Sequence, residues 1–237
     1  MSARVFDPTC KIGVLVAALA LSGCVGTGPQ AGSGTGGFAF SRAAPQKLAV
    51  AGGTVTIAGP QGFCIDGRAS RDGADGAFVL MASCAAITRN RKAPVPPEEA
   101  LLTASVSPQP GPGGSAKDRA LVLKRYFASD EGRAALARDG RPGSIAIDEM
   151  RDRDGLFLIH ARDRSAGLAS GLRDDFWRAI FEVNGRIVTA SVVGMEAQPF
   201  STSTGLNILR DFAARIRTES ARLPAAMVTK APQIPEK

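Results

Sequence analysis

Residues 176–193, FWRAIFEVNGRIVTASVV, constrain the fold more than any other stretch of the chain. Two runs rich in aromatic and β-branched residues flank Asn184-Gly185. That dipeptide suits a two-residue hairpin turn, because both central positions take positive φ. Such a turn sets the register: Val183 faces Arg186, Phe181 faces Val188, Ala179 faces Ala190 and Trp177 faces Val192. Side chains alternate across a strand, so Trp177, Ala179, Phe181 and Val183 share one face with Val188, Ala190 and Val192. The reverse face carries Phe176, Ile180 and Ile187. It is apolar enough that the closing helix, or another protein, must cover it.

The other elements follow from local signals. Thr54–Ile57 is a short strand ended by Gly59-Pro60, and Phe63-Cys64-Ile65 is a second extended piece. Arg68–Gly76 reads as a polar loop. Ala77–Ser83 is a near-continuous apolar run of the kind buried on both faces of a sheet. Lys92–Pro97 breaks the chain, Leu101–Val106 is a further strand, and 107–114 (SPQPGPGG) is a loop. Ser115 followed by Asp118 marks a helix start, with the helix running to about Ala128 and including Leu121, Tyr126 and Phe127 among its apolar residues. Ser129 caps a second short helix through Arg138. Ser144–Glu149 and Leu156–Arg162 form another hairpin around Arg153-Asp154-Gly155. Thr202 or Ser203 caps the last helix, whose stripe is Leu209, Phe212, Ala213 and Ile216.

The expected class is therefore α+β, an antiparallel sheet with flanking helices in one domain over 47–222, followed by a Pro-rich tail at 223–237. TVTIAGPQGFCI near its start and WRAIFEVNGRIVTASV with STSTGLNILRDFAARI at its end resemble the PsbP-like superfamily over residues 47–220. The resemblance is one of order and pattern. It implies an α/β/α sandwich of a kind found among exported, often lipid-anchored proteins.

The N-terminus determines destination. Arg4 and Lys11 precede Ile12–Leu21, a positive segment followed by about ten apolar residues, as in a secretory signal peptide. The run is shorter than the roughly 20 residues that cross a bilayer. Leu21-Ser22-Gly23-Cys24 then resembles the bacterial lipobox. The resemblance implies cleavage between Gly23 and Cys24, with a diacylglycerol on the Cys24 sulfur. Each buried lipid CH₂ contributes ~0.8 kcal/mol, so two or three chains hold a protein durably on a membrane. Val25, following the cysteine, implies sorting to the outer membrane, with the domain facing the periplasm. Residues 25–46 form a Gly-rich tether, and about 20 such residues give roughly 25 Å of clearance.

Cleavage after residue 23 removes Arg4, Lys11 and Asp7, so the formal charge falls from +7 to +6. Both signs are interleaved, and no basic run with aromatics points to nucleic acid; anionic lipid headgroups are the expected attraction. Of the four cysteines, Cys10 leaves with the signal and Cys24 carries lipid. Cys64 and Cys84 remain as a disulfide, suited to an oxidising compartment.

Catalytic signals are sparse. His160, the single histidine, shares the Leu156/Leu158 face and reads as a sheet histidine rather than a general base. No GxSxG, HExxH or paired CxxC occurs, and GSGTGG lacks the strand and helix of a phosphate loop. Asp148, Glu149, Asp152 and Asp154 read as a solvated hairpin turn rather than a Ca²⁺ loop, and Asp72 with Asp75 likewise. No catalytic residue, metal, cofactor or small-molecule ligand is assigned. The expected function is that of a lipid-anchored envelope lipoprotein whose stapled domain binds another envelope component. The alternative is an anchored envelope enzyme such as a hydrolase.

Overall fold

A computed structural model describes residues 44–165 and 171–222. The first elements are β1 (Lys47–Val50), β2 (Val55–Ala58), β3 (Phe63–Ile65), β4 (Arg71–Gly73), β5 (Gly76–Ser83) and α1 (Cys84–Thr88). Then come β6 (Ala100–Pro110), α2 (Ala116–Ala128), α3 (Asp130–Leu136), β7 (Ile145–Arg153), β8 (Leu156–Asp163), β9 (Leu172–Val183), β10 (Arg186–Met195) and α4 (Thr202–Ala221). The class is α+β. An eight-stranded antiparallel sheet runs β3-β5-β6-β10-β9-β8-β7, with β4 also paired to β5, and β1–β2 form a separate two-stranded hairpin.

The β9–β10 hairpin has the expected register: Val183 opposite Arg186, Phe181 opposite Val188, Ala179 opposite Ala190 and Trp177 opposite Val192. Asn184 and Gly185 take φ of 48° and 74°. Asn184 also works at a distance, its Nδ2 donating to the Thr54 carbonyl at 2.9 Å and the Ser220 carbonyl at 3.2 Å. The turn thereby joins the sheet to the residue just ahead of β2 and to the end of α4.

From this register the two faces follow. Trp177, Ala179, Phe181, Val183, Val188, Ala190 and Val192 lie in the main core with Leu209, Phe212, Ala213 and Ile216 of α4 and Val55 and Ile57 of β2. Helix α4 is capped by Ser201, whose hydroxyl accepts from the Thr204 N–H at 3.1 Å, one residue ahead of the expected cap. The other face is covered by the crossover between β6 and β7. It leaves the middle of the sheet, carries α2 and α3 underneath, and re-enters at the far edge. Ser115 and Ser129 cap these helices from the Asp118 and Gly132 N–H groups. Asp139 closes the return, accepting from the Arg141 N–H at 3.0 Å and the Ser144 hydroxyl at 2.7 Å, which hold its carboxyl well below the usual range.

Several expectations are corrected. The 68–76 segment contains β4, paired to β5 through Arg71–Phe78 and Asp72–Ala77. Strand β5 alternates buried and half-buried residues rather than being buried on both faces, because the crossover helices lie beneath β7 and β8 and leave its lower side only half-buried. Strand β6 continues to Pro110, four residues past its expected end at Val106, and α3 stops at Leu136 rather than Arg138.

Asn184→Ala should lower stability by about 2–3 kcal/mol, from a left-handed alanine and two lost hydrogen bonds. Asn184→Gly should recover only the backbone part, and urea unfolding of the three proteins checks the ordering.

Candidate functional site

Alternation along β9 places Phe176, Arg178 and Ile180 on the lower face, with Ile187 beside them on β10. Phe176 is only 8% exposed, sealed among Phe157, Ile159 and Ala161 of β8 and Ala120, Phe127 and Leu136 of the crossover helices. Phe127 stacks on Phe157 at a centroid distance of 6.2 Å. The cover of this face is therefore α2 and α3, not the closing helix, and Phe176 is part of a second core rather than an open contact residue.

The cover is incomplete. Between the start of α2 and the sheet lies a cavity of about 470 Å³, with Ile180, Ile187 and Phe157 on the sheet side. Ala116, Ala120 and Leu123 line it from α2, spaced so that they share one helical stripe. Asp118, Arg119 and Asp152 also line it, Arg119 being held by Glu182 at 3.0 Å and by the Gly114 carbonyl at 2.7 Å. The cavity exists because the chain must swing out before α2 begins. Gly111 donates to the Gly185 carbonyl at 2.7 Å, and a Cβ there would sit 3.1 Å from Ile187 Cδ1. The strand is thus pinned against the hairpin tip by a glycine, and 112–115 then carry the chain away from it. A largely apolar cleft of this size suits an aliphatic or aromatic group rather than a polar substrate. Sequence reasoning found Ile180 and Ile187 but missed the α2 stripe, whose i, i+4, i+7 spacing was readable.

Deeper on the same face, Arg178 donates from Nε to the Ser191 hydroxyl at 3.0 Å and lies over the Phe176 ring. Burial draws its guanidinium down to about 10, with Asp163 opposing the shift. It remains a cation at neutral pH.

The upper face of β7–β9 carries a different cluster. His160 stacks on Trp177 with centroids 4.7 Å apart. Its Nδ1 is 3.5 Å from Asp148 Oδ2 and its Nε2 3.7 Å from Asp175 Oδ2. A bulge at Asp148, between the Ile147–Ala161 and Glu149–His160 pairs, brings that carboxylate onto the ring. Asp148 also meets Arg162 at 2.6 Å and Asp175 meets Arg173 at 2.6 Å. Among the described residues no hydroxyl or thiol hydrogen-bonds either ring nitrogen. Among these residues His160 Nε2 is buried without a hydrogen-bond partner, and the ring is seated by its stacking on Trp177. Of the other acids around the β7–β8 turn, Glu149 pairs with Arg151 at 2.8 Å and Asp154 with Arg210 at 2.9 Å, while Asp152 lines the cleft.

Cys64 and Cys84 form a disulfide with Cα atoms 4.7 Å apart, joining β3 to the start of α1. Both cysteines are buried. Closing a loop across 20 residues of separation stabilises by roughly 3 kcal/mol in the chain-entropy description. Gly23 and Cys24, the expected cleavage and acylation positions, lie outside the described residues. No protein-family model matches this chain, and no curated protein matches it.

His160→Ala should cost roughly 1–3 kcal/mol by leaving a gap over the indole and two carboxylates facing it. Trp177 is the sole tryptophan, so its emission should shift to the red in the variant, and fluorescence-monitored unfolding checks both effects.

Proposed function

We propose that this is a lipid-anchored envelope lipoprotein, acylated at Cys24 and facing the periplasm from the outer membrane. Its domain acts by binding an apolar group of another envelope component. The observation that carries the binding role is the cleft of about 470 Å³ between α2 and the sheet, lined by Ile180 and Ile187. Half-buried apolar walls with few convergent polar groups fit recognition better than bond-breaking chemistry. The enzymatic alternative draws little from His160, whose neighbours are two carboxylates and an indole. The Cys64–Cys84 disulfide accords with an oxidising compartment, where such bonds persist. Helices on both faces of an antiparallel sheet also accord with a PsbP-like sandwich.

A photo-crosslinking residue at Ala116, on the cleft wall, tests the reading in intact cells. It should yield a discrete adduct that disappears in Ile180→Asp while the melting temperature stays close to that of the parent. An adduct pattern indifferent to Ile180→Asp, or no adduct at all, would refute the binding role of the cleft.

A further inference from the structure

We infer that the outer face of α2 rests on an anionic bilayer surface, giving the domain a second, non-covalent membrane contact; this rests on the anchored reading above. Helix α2 turns Ala120, Leu123 and Phe127 toward the sheet, and the rest of its circumference faces solvent. Those outward residues are not the usual polar set. Leu121 is 58% exposed, Val122 64% and Tyr126 43%. With Val95 they are the exposed large apolar side chains among the described residues, so three of the four fall on one helix.

Lys117, Lys124 and Arg125 are exposed around them. None of these three cations is ion-paired among the described residues, whereas Arg119 on the same helix is paired to Glu182. Asp118 is the sole acid on α2, and its carboxylate accepts from the Ser115 hydroxyl at 2.7 Å. Asp130, just beyond the helix, is paired to Arg133.

Aliphatic side chains framed by cations, with a tyrosine at the margin, match the interfacial zone of a bilayer. There the apolar tips enter the headgroup boundary and the cations meet lipid phosphate. A protein partner would bury the aliphatics equally well, but three unpaired cations around them select a surface of uniform negative charge. The tether supports the same occupant, since a domain held within roughly 25 Å of the bilayer meets that surface at high effective concentration.

The test uses the full mature chain, extracted with its lipid and reconstituted into vesicles of phosphatidylcholine alone or with one-third phosphatidylglycerol. A fluorophore is attached through Ala128→Cys, at the exposed end of α2, or through Asn207→Cys on α4 as control. A nitroxide lipid near the headgroups reports proximity. The Ala128→Cys dye should be quenched in anionic vesicles and much less in neutral ones, and the Asn207→Cys dye in neither. Lys117→Glu/Lys124→Glu/Arg125→Glu should lower the docked-to-undocked ratio by about tenfold or more. Leu121→Ser/Tyr126→Ser should do the same while leaving Val122, which also lines the cleft, unchanged. Equal quenching at the two positions in anionic vesicles, with the acyl mass present on Cys24, overturns this inference alone. Absence of the acyl mass, with the chain released from the vesicles, overturns the anchored reading and this inference with it.

Discussion

The two-residue turn at Asn184-Gly185 is the constraint on which the rest depends. It sets the pairing of β9 with β10, and that pairing decides which side chains lie above the sheet and which below. Above it, small and large residues alternate in the surface that receives α4: Ala179, Phe181, Val188 and Ala190 share one core with Leu209, Phe212, Ala213 and Ile216. The turn is itself locked by the Asn184 side chain, which satisfies carbonyls just ahead of β2 and at the end of α4. One dipeptide thus links register, layer assignment and the closing of the main core.

The two layers of helix are not equivalent. Helix α4 lies on fully buried side chains, with Leu209, Phe212, Ala213 and Ile216 at 0% exposure. The crossover helices α2 and α3 seal the sheet only around Phe127, Phe157 and Phe176. At its start α2 stands off, leaving a cleft between its small residues and the sheet, while its outer face carries aliphatic side chains into solvent. A close-packed layer holds the fold beside a loosely packed one that presents apolar surface, and the proposed binding role rests on that contrast.

Much of this was legible in the sequence, for physical reasons that differ by element. The hairpin register was readable residue by residue, because a type I′ turn leaves one pairing. The stripe of α4 was readable because it repeats with the helical period against a single flat surface, and the partnering of Cys64 with Cys84 followed once Cys10 and Cys24 were assigned to the expected signal and anchor. The failures share a cause. Strand β5 looked buried on both faces because Ala77–Ser83 is almost uniformly apolar, yet its lower side is only half-buried. In α2, Leu121 and Tyr126 counted as apolar but point outward, and only Phe127 of the three is buried. Both outcomes depend on where the 111–144 crossover comes to lie, which is a non-local choice that composition does not encode. The bulge at Asp148, which brings a carboxylate to His160, left no turn residue as a marker.

Adjacent positions on β10 test the sorting of faces most directly. Val188 is fully buried beneath α4, whereas Ile187 lines the cleft. Thermal melts of Val188→Asp and Ile187→Asp should differ sharply. The first should lose its cooperative transition, since it places an unpaired carboxylate in the main core, and the second should melt within a few degrees of the parent. Equal losses in the two variants, or the reverse order, would contradict the account.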